Sequence, residues 1–360
     1  MMKNTMSSTR ILWIDYVKAF AIITVVMLHI PILDPYRHIA RSFVIPIFFF
    51  LSGLFSHPDR YKTFSEFLRK KTLRLLIPYI IFNLLNYLYW LFVARHFGAD
   101  AEVEVSLVKP IVGMLLGIEP WMYHYKPLWF LPCLMLTEIF FYALYRWIVK
   151  WERKRCQVYL AITMVSVSAI GYSLSILKVP ALPYGIGGAL SMSLFYYGGY
   201  LLYAHSDWRE NVRDYVARIS PIKLLSLIIV SVCACIGLSM STEETQVFVN
   251  SYGNILYAFP AAICGGITLI GIAIGLSKWL SPLMLLQYVG THTLTILGIH
   301  LTTASLIKGF TVFILRQPLC IYEYLWVRLL LVIVTVMLCL PFCYLYDYVA
   351  RSITNSISTK

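Results

Sequence analysis

The chain has 360 residues, of which 59% are hydrophobic and only 13% charged, with a formal net charge of +13. Soluble domains hold about 45–50% apolar and about 25% charged residues, so this composition excludes a soluble globular protein and places most of the chain in a bilayer. In such a protein an excess of positive charge gathers in loops facing anionic lipid, and no nucleic-acid partner is expected.

The first apolar stretch runs from Arg10 to Pro31, RILWIDYVKAFAIITVVMLHIP. It is long enough to cross a membrane, for which about 20 residues suffice. It contains charges and lacks a small-residue exit, so it reads as a retained helix and not as a cleaved signal peptide. Asp15, Lys18 and His29 lie inside it. A charge near a helix centre costs about 2.5–3.5 kcal/mol on insertion scales. At about 100° per residue, Lys18 and His29 fall within about 20° of each other and Asp15 within about 60° of Lys18. One stripe therefore carries all three, with Ile22 and Val26 between them. Each has a bland reading: Lys18 as a snorkelling anchor, His29 as a water-satisfied cap, Asp15 as an interfacial partner of Arg10 or Lys18. Together on one stripe they point to the wall of a pathway or an active-site shaft.

Apolar runs continue at 40–56, 74–95, 128–149, 157–177, 187–204, 222–240, 253–276, 282–306 and 326–349. With the first they predict an all-α, polytopic membrane protein of about 10 transmembrane helices. The connections alternate in charge. Lys3 and Arg10, the Arg60–Arg74 segment, Arg146 to Arg155 with Lys150, Arg153 and Lys154, Arg218 with Lys223, Lys278 and Lys360 fall on one side. The opposite loops are poorer in base and hold Asp100, Glu102, Glu104, Glu243 and Glu244. The positive-inside rule then places both termini in the cytoplasm. The longest loop, 96–127, leaves no room for a fused soluble domain, so residues 1–360 read as one transmembrane domain. The eight cysteines sit mostly in apolar runs without a C-x-x-C pair, and read as packing residues, not as a disulfide framework or a metal site.

Three later stretches and two single residues are candidates to carry chemistry. IPIFFFLSGLF ends the second run and offers Ser52 and Gly53 for close helix approach. FLRKKTLRLLIPY sets Lys71 and Arg74 about one turn apart at a membrane entrance, where cations suit phosphates but also serve as anchors. PWMYHYKPLWFL, with Trp121, Tyr123, Tyr125 and Trp129, reads either as an interfacial aromatic belt or as a platform for a sugar ring. Glu138 is an acid well inside the fourth run, and His300 lies late in the ninth.

In series these stretches resemble the acyltransferase-3 family of integral-membrane acyltransferases. Lys18 and His29 match the family's basic residue, ten residues and histidine. Phe48 to Gly53 match its FF-x-SG-like segment, and Lys71 and Arg74 ahead of Pro78-Tyr79 its R-x-x-R-like motif, with lysine where arginine is commoner. Leu128 to Leu131 match its LWFL segment, and YVGTHTLTILGIH its late histidine motif ending at His300. The resemblance implies O-acylation of a carbohydrate acceptor at the cell inner (plasma) membrane. Acetyl-CoA or another acyl-CoA would be the co-substrate, with no tightly bound cofactor. It implies His29 as general base, His300 at the acceptor or the oxyanion, and Glu138 or a backbone carbonyl orienting His29. Lys18, Lys71 and Arg74 would hold the CoA phosphates, and Asp15, Tyr123 and Trp129 the substrate. A transporter or polysaccharide exporter is the competing reading. The chain shows no convincing internal repeat and no run of mid-membrane acids of the kind transporters use.

Overall fold

Ordering of the apolar runs into helices follows from the bilayer, where every backbone amide and carbonyl needs an internal partner. The computed structural model describes residues 11–30, 34–97, 106–152, 155–204, 208–280 and 282–358. Lys3, Arg10, Asp100, Glu102, Glu104, Arg153, Lys154 and Lys360 lie outside them. The principal helices are α1 (Leu12–His29), α2 (Asp34–Leu54), α3 (Phe64–Lys71), α4 (Ile77–Phe92), α5 (Val108–Leu116), α6 (Phe130–Trp151) and α7 (Cys156–Ile176). They continue as α8 (Ile186–Ala204), α9 (Trp208–Arg218), α10 (Pro221–Met240), α11 (Ile255–Trp279), α12 (Met284–Thr291), α13 (Thr293–Gly309) and α14 (Leu325–Ser358). Among the described residues the β pairing is a single isolated bridge, Gln246 to Ser251.

Nine helical segments among the described residues are long and apolar enough to cross a membrane. The protein is an all-α, multi-pass membrane protein. The tenth expected span is α8, a 19-residue helix whose apolarity is diluted by Tyr196, Tyr197 and Tyr200. It lies among α2, α6 and α7, where Tyr196 and Tyr200 set their rings at an angle against Phe141 of α6 and Tyr200 meets Tyr145 edge-on. A less apolar helix is tolerated there because protein, not lipid, surrounds it.

Burial sorts the helices. In α1 and the segment containing α6, 61% and 67% of the spanning window is buried, against 22% in α7 and α10, so the former are interior and the latter face lipid. Close crossings hold the interior together. A Cβ on Gly53 of α2 would lie 1.8 Å from the carbonyl oxygen of Tyr196, and one on Gly199 of α8 1.9 Å from that of Phe50. Both helices therefore need glycine at the crossing, as small-residue membrane interfaces do.

Two interruptions position the site. Thr63 caps α3 by accepting the Glu66 amide at 3.2 Å, while Glu66 accepts the Lys62 amide at 3.0 Å and pairs with Lys70 at 2.8 Å. This starts the helix that carries Arg69, Lys70 and Lys71 into the membrane. Between α3 and α4 the ladder widens to a π turn over Thr72–Leu76, with the Ile77 amide reaching the Thr72 carbonyl. Pro78 explains it: proline has no N–H to offer the Arg74 carbonyl, and the ladder around it loosens. The wider turn moves Lys71 and Arg74 onto different faces.

The second interruption splits the expected ninth span, 282–306. Its helix stops at Thr291 and restarts at Thr293, with His292 non-helical between. The His292 ring replaces the lost ladder bond: Nδ1 donates to the Tyr288 carbonyl at 2.7 Å, and Nε2 lies 2.9 Å from Asp347 of α14. Gly290, just before the break, sits against the backbone of Asp15, where a Cβ would approach its carbonyl oxygen to 1.9 Å.

Candidate active site

A cavity of about 320 Å³ runs along one face of α1. Its α1 wall is Lys18, Ile22, Val25 and His29, spaced four, three and four residues apart, so one helical row lines its length. Val25 stands in this row where Val26 was expected; Val26 is fully buried on the neighbouring face. Arg74 from the π turn, Ser52 and Phe55 from the end of α2, and Thr291, Thr293 and Leu294 from the helix break complete the Lys18 end. Trp129 and Phe130 also line it. About 16 Å of helix rise separates Lys18 from His29.

The two ends differ electrostatically. Lys18 and Arg74 place two cations on one cavity, with the Lys18 ammonium also 4.7 Å from the Phe55 ring centre. The last turn of α12 and the first turn of α13 both meet the cavity, through Gly290 and Thr291 and through Thr293 and Leu294, so their opposed helix termini largely offset each other there. Two cations on one cavity make an environment for an anion.

At the other end the hydrogen bonds fix which nitrogen of His29 is basic. Its Nδ1 lies 2.8 Å from the Val25 carbonyl oxygen, one turn back. A carbonyl only accepts, so Nδ1 carries the proton and the Nε2 lone pair is left available. The ring keeps exposed surface and lines the cavity. His300 is packed behind it, 1% exposed, with the ring centres 5.1 Å apart. His300 Nδ1 sits 3.0 Å from the Ile296 carbonyl and 3.1 Å from that of Leu297, so it too is the protonated nitrogen. His300 Nε2 then faces His29 Nδ1 at 3.4 Å as an acceptor.

Tyr125 holds this second imidazole. Its hydroxyl donates to the Leu297 carbonyl at 2.7 Å, receives the Leu301 amide at 3.3 Å, and lies 3.1 Å from His300 Nδ1. The phenol is thus inserted in the turn of α13 that carries His300. Burial pushes its pKa well up, which keeps it a proton donor. Removing the hydroxyl leaves buried carbonyl and amide groups short of a partner, worth about 1–3 kcal/mol. Tyr125→Phe is therefore expected to loosen the turn that carries His300 and to lower the melting temperature by several degrees, measured in a thermal unfolding scan; an unchanged melting temperature would detach the hydroxyl from that turn.

The remaining residues marked in the sequence fall elsewhere. Glu138 does not reach His29: its carboxylate pairs with Lys71 at 2.9 Å and accepts from the Ser52 hydroxyl at 2.7 Å. The orienting group at His29 is the Val25 carbonyl. Lys71 is held by that ion pair, both side chains under a tenth exposed, and does not line the cavity beside Arg74. Asp15 is buried in the first turn of α1 against the helix break. Tyr123 is partly exposed outside the cavity, with the Lys109 ammonium 5.4 Å from its ring centre. His29, Lys18, Arg74 and Trp129 do share the cavity. His300 does not line it; with no open edge toward substrate, its place is behind His29.

A membrane-embedded helical bundle with a cavity joining two cations to an accessible imidazole defines the class: a multi-pass membrane protein with an internal polar cavity. The model of a family described as an acyltransferase domain matches residues 11–346, nearly the whole chain, and the protein belongs to that acyltransferase-3 family. No curated protein and no solved structure matches the chain.

Proposed function

We propose that this acyltransferase moves an acyl group, in the first instance acetyl, from acyl-CoA to a hydroxyl of a carbohydrate at the plasma membrane. One observation carries the reading: a single cavity connects Lys18 and Arg74 to the open Nε2 of His29. The CoA phosphates sit at the cationic end, which the positive-inside pattern assigns to the cytoplasm. The pantetheine arm follows the apolar wall of Ile22, Val25, Leu294 and Leu297, and the thioester reaches His29.

There a sugar hydroxyl is a poor nucleophile until its proton is removed. His29 Nε2 takes that proton as the oxygen attacks the thioester carbonyl. The tetrahedral intermediate collapses, the carbon–sulfur bond breaks, and the CoA thiolate recovers the proton from His29. As the imidazolium forms, its Nδ1–H bonds to the Val25 carbonyl and His300 Nε2 strengthen. His300 and Tyr125 are positioning residues in this scheme. Trp129 offers an apolar ring face to the acceptor sugar.

Arg74 supplies a clear test. A charge-assisted contact to phosphate is worth about 1.5–3 kcal/mol. Arg74→Ala is expected to raise the acetyl-CoA KM about 10- to 100-fold with little change in kcat, and Arg74→Lys to restore part of the loss. An unchanged donor KM would detach Arg74 from the phosphates.

A further inference from the structure

We infer that a groove between α13 and α14, separate from the histidine cavity, is a binding site for an anionic phospholipid. The groove has a volume of about 240 Å³ and is lined by Ile307, Thr311, Tyr322, Trp326, Leu330 and Val334, among others. Its polar groups satisfy each other: the Tyr322 hydroxyl donates to Thr311 Oγ1 at 2.9 Å. What remains is an apolar trough fit for a segment of acyl chain.

Charge and depth then select the headgroup. Tyr322 carries two cations: the Lys308 ammonium stands 5.7 Å from its ring centre, and Arg328 Nε donates to its carbonyl oxygen at 2.5 Å. Ile307 and Val327, the neighbours of these cations in sequence, both line the groove. Tyr324 and Trp326 are exposed beside them, the aromatic signature of headgroup level. Set against Glu323, the exposed acid beside Tyr322, Lys308 and Arg328 leave a net positive charge above an apolar trough, which matches a phosphodiester with its chain attached. Leu330 is half exposed and Trp326 largely so, so the trough opens on the lipid-facing side of the bundle and the bilayer itself supplies the occupant.

None of these residues lines the histidine cavity, so the inference stands or falls apart from acyl transfer. Full-length protein in detergent micelles would be offered phosphatidylglycerol and phosphatidylcholine of identical chains, and retained lipid counted by native mass spectrometry. Phosphatidylglycerol should be retained about 30-fold better, the worth of two juxtamembrane cations. The Lys308→Gln/Arg328→Gln pair should bring the two lipids to parity. Leu330→Trp, which fills the trough from its exposed edge, should lower retention of both about tenfold. Equal retention by the unaltered protein would overturn the inference. So would indifference to Leu330→Trp, or displacement of phosphatidylglycerol by an equal concentration of inorganic phosphate.

Discussion

Replacing His29 with glutamine is expected to lower acyl transfer about 10²- to 10⁴-fold, the usual worth of a positioned general base. Glutamine fills much the same volume and keeps a polar end, but its amide cannot take a proton at neutral pH. Since His29 lies at the C-terminus of α1 with an edge open to the cavity, the substitution should leave folding intact. Label transferred from acetyl-CoA to acceptor, together with a thermal unfolding scan, checks both halves. A folded variant that still transfers at the parental rate would remove the proposed base. His300 gives a useful contrast: it is wholly enclosed, so its replacement should cost stability as well as rate.

The second large effect concerns Glu138. Its partner Lys71 is 7% exposed, and the carboxylate also receives the Ser52 hydroxyl. Glu138→Ala would leave an ammonium buried without its counter-charge, which costs about 3–5 kcal/mol. Replacing both members together, Lys71→Met with Glu138→Leu, removes the uncompensated charge and should recover most of that stability, since apolar substitutes for buried pairs are often neutral or better. A double-mutant cycle on thermal stability reads the coupling directly. Additive losses would mean the two side chains do not act as a pair. The pair also braces α3 against α6 just ahead of the π turn, so the single variant should raise the donor KM through Arg74.

This pairing shows where sequence reading stops. Lys71 and Glu138 are each visible as membrane-level charges, and the resemblance sets Lys71 at the CoA phosphates and Glu138 behind His29. That they neutralise one another is a fact of packing between distant helices, and helical periodicity carries no information about it. The π turn belongs to the same class: Pro78 was legible, but its consequence for the direction of Arg74 needs the ladder itself. Tyr125 lay in a recognised aromatic stretch, yet nothing in one sequence says that a phenol there enters the turn at Leu297. The break at His292 was hidden because hydropathy averages smoothly across 282–306.

What lies on one element was far more legible. The Lys18–His29 row follows from helix geometry alone, and the cavity runs along it with Val25 exchanged for Val26 and Asp15 left outside it. The spans were legible because bilayer thickness fixes their length. Even α8 was found as an apolar run, although it is short and its tyrosines lower its apolarity; its companions in the bundle, not lipid, accommodate them.

The most direct test is a cryo-EM structure of the protein with a non-hydrolysable acetyl-CoA analogue. The account predicts the phosphates against Lys18 and Arg74, the arm along Ile22 and Val25, and the acyl carbonyl beside Nε2 of His29. Analogue bound elsewhere, with the His29 cavity empty or filled by lipid, would contradict it.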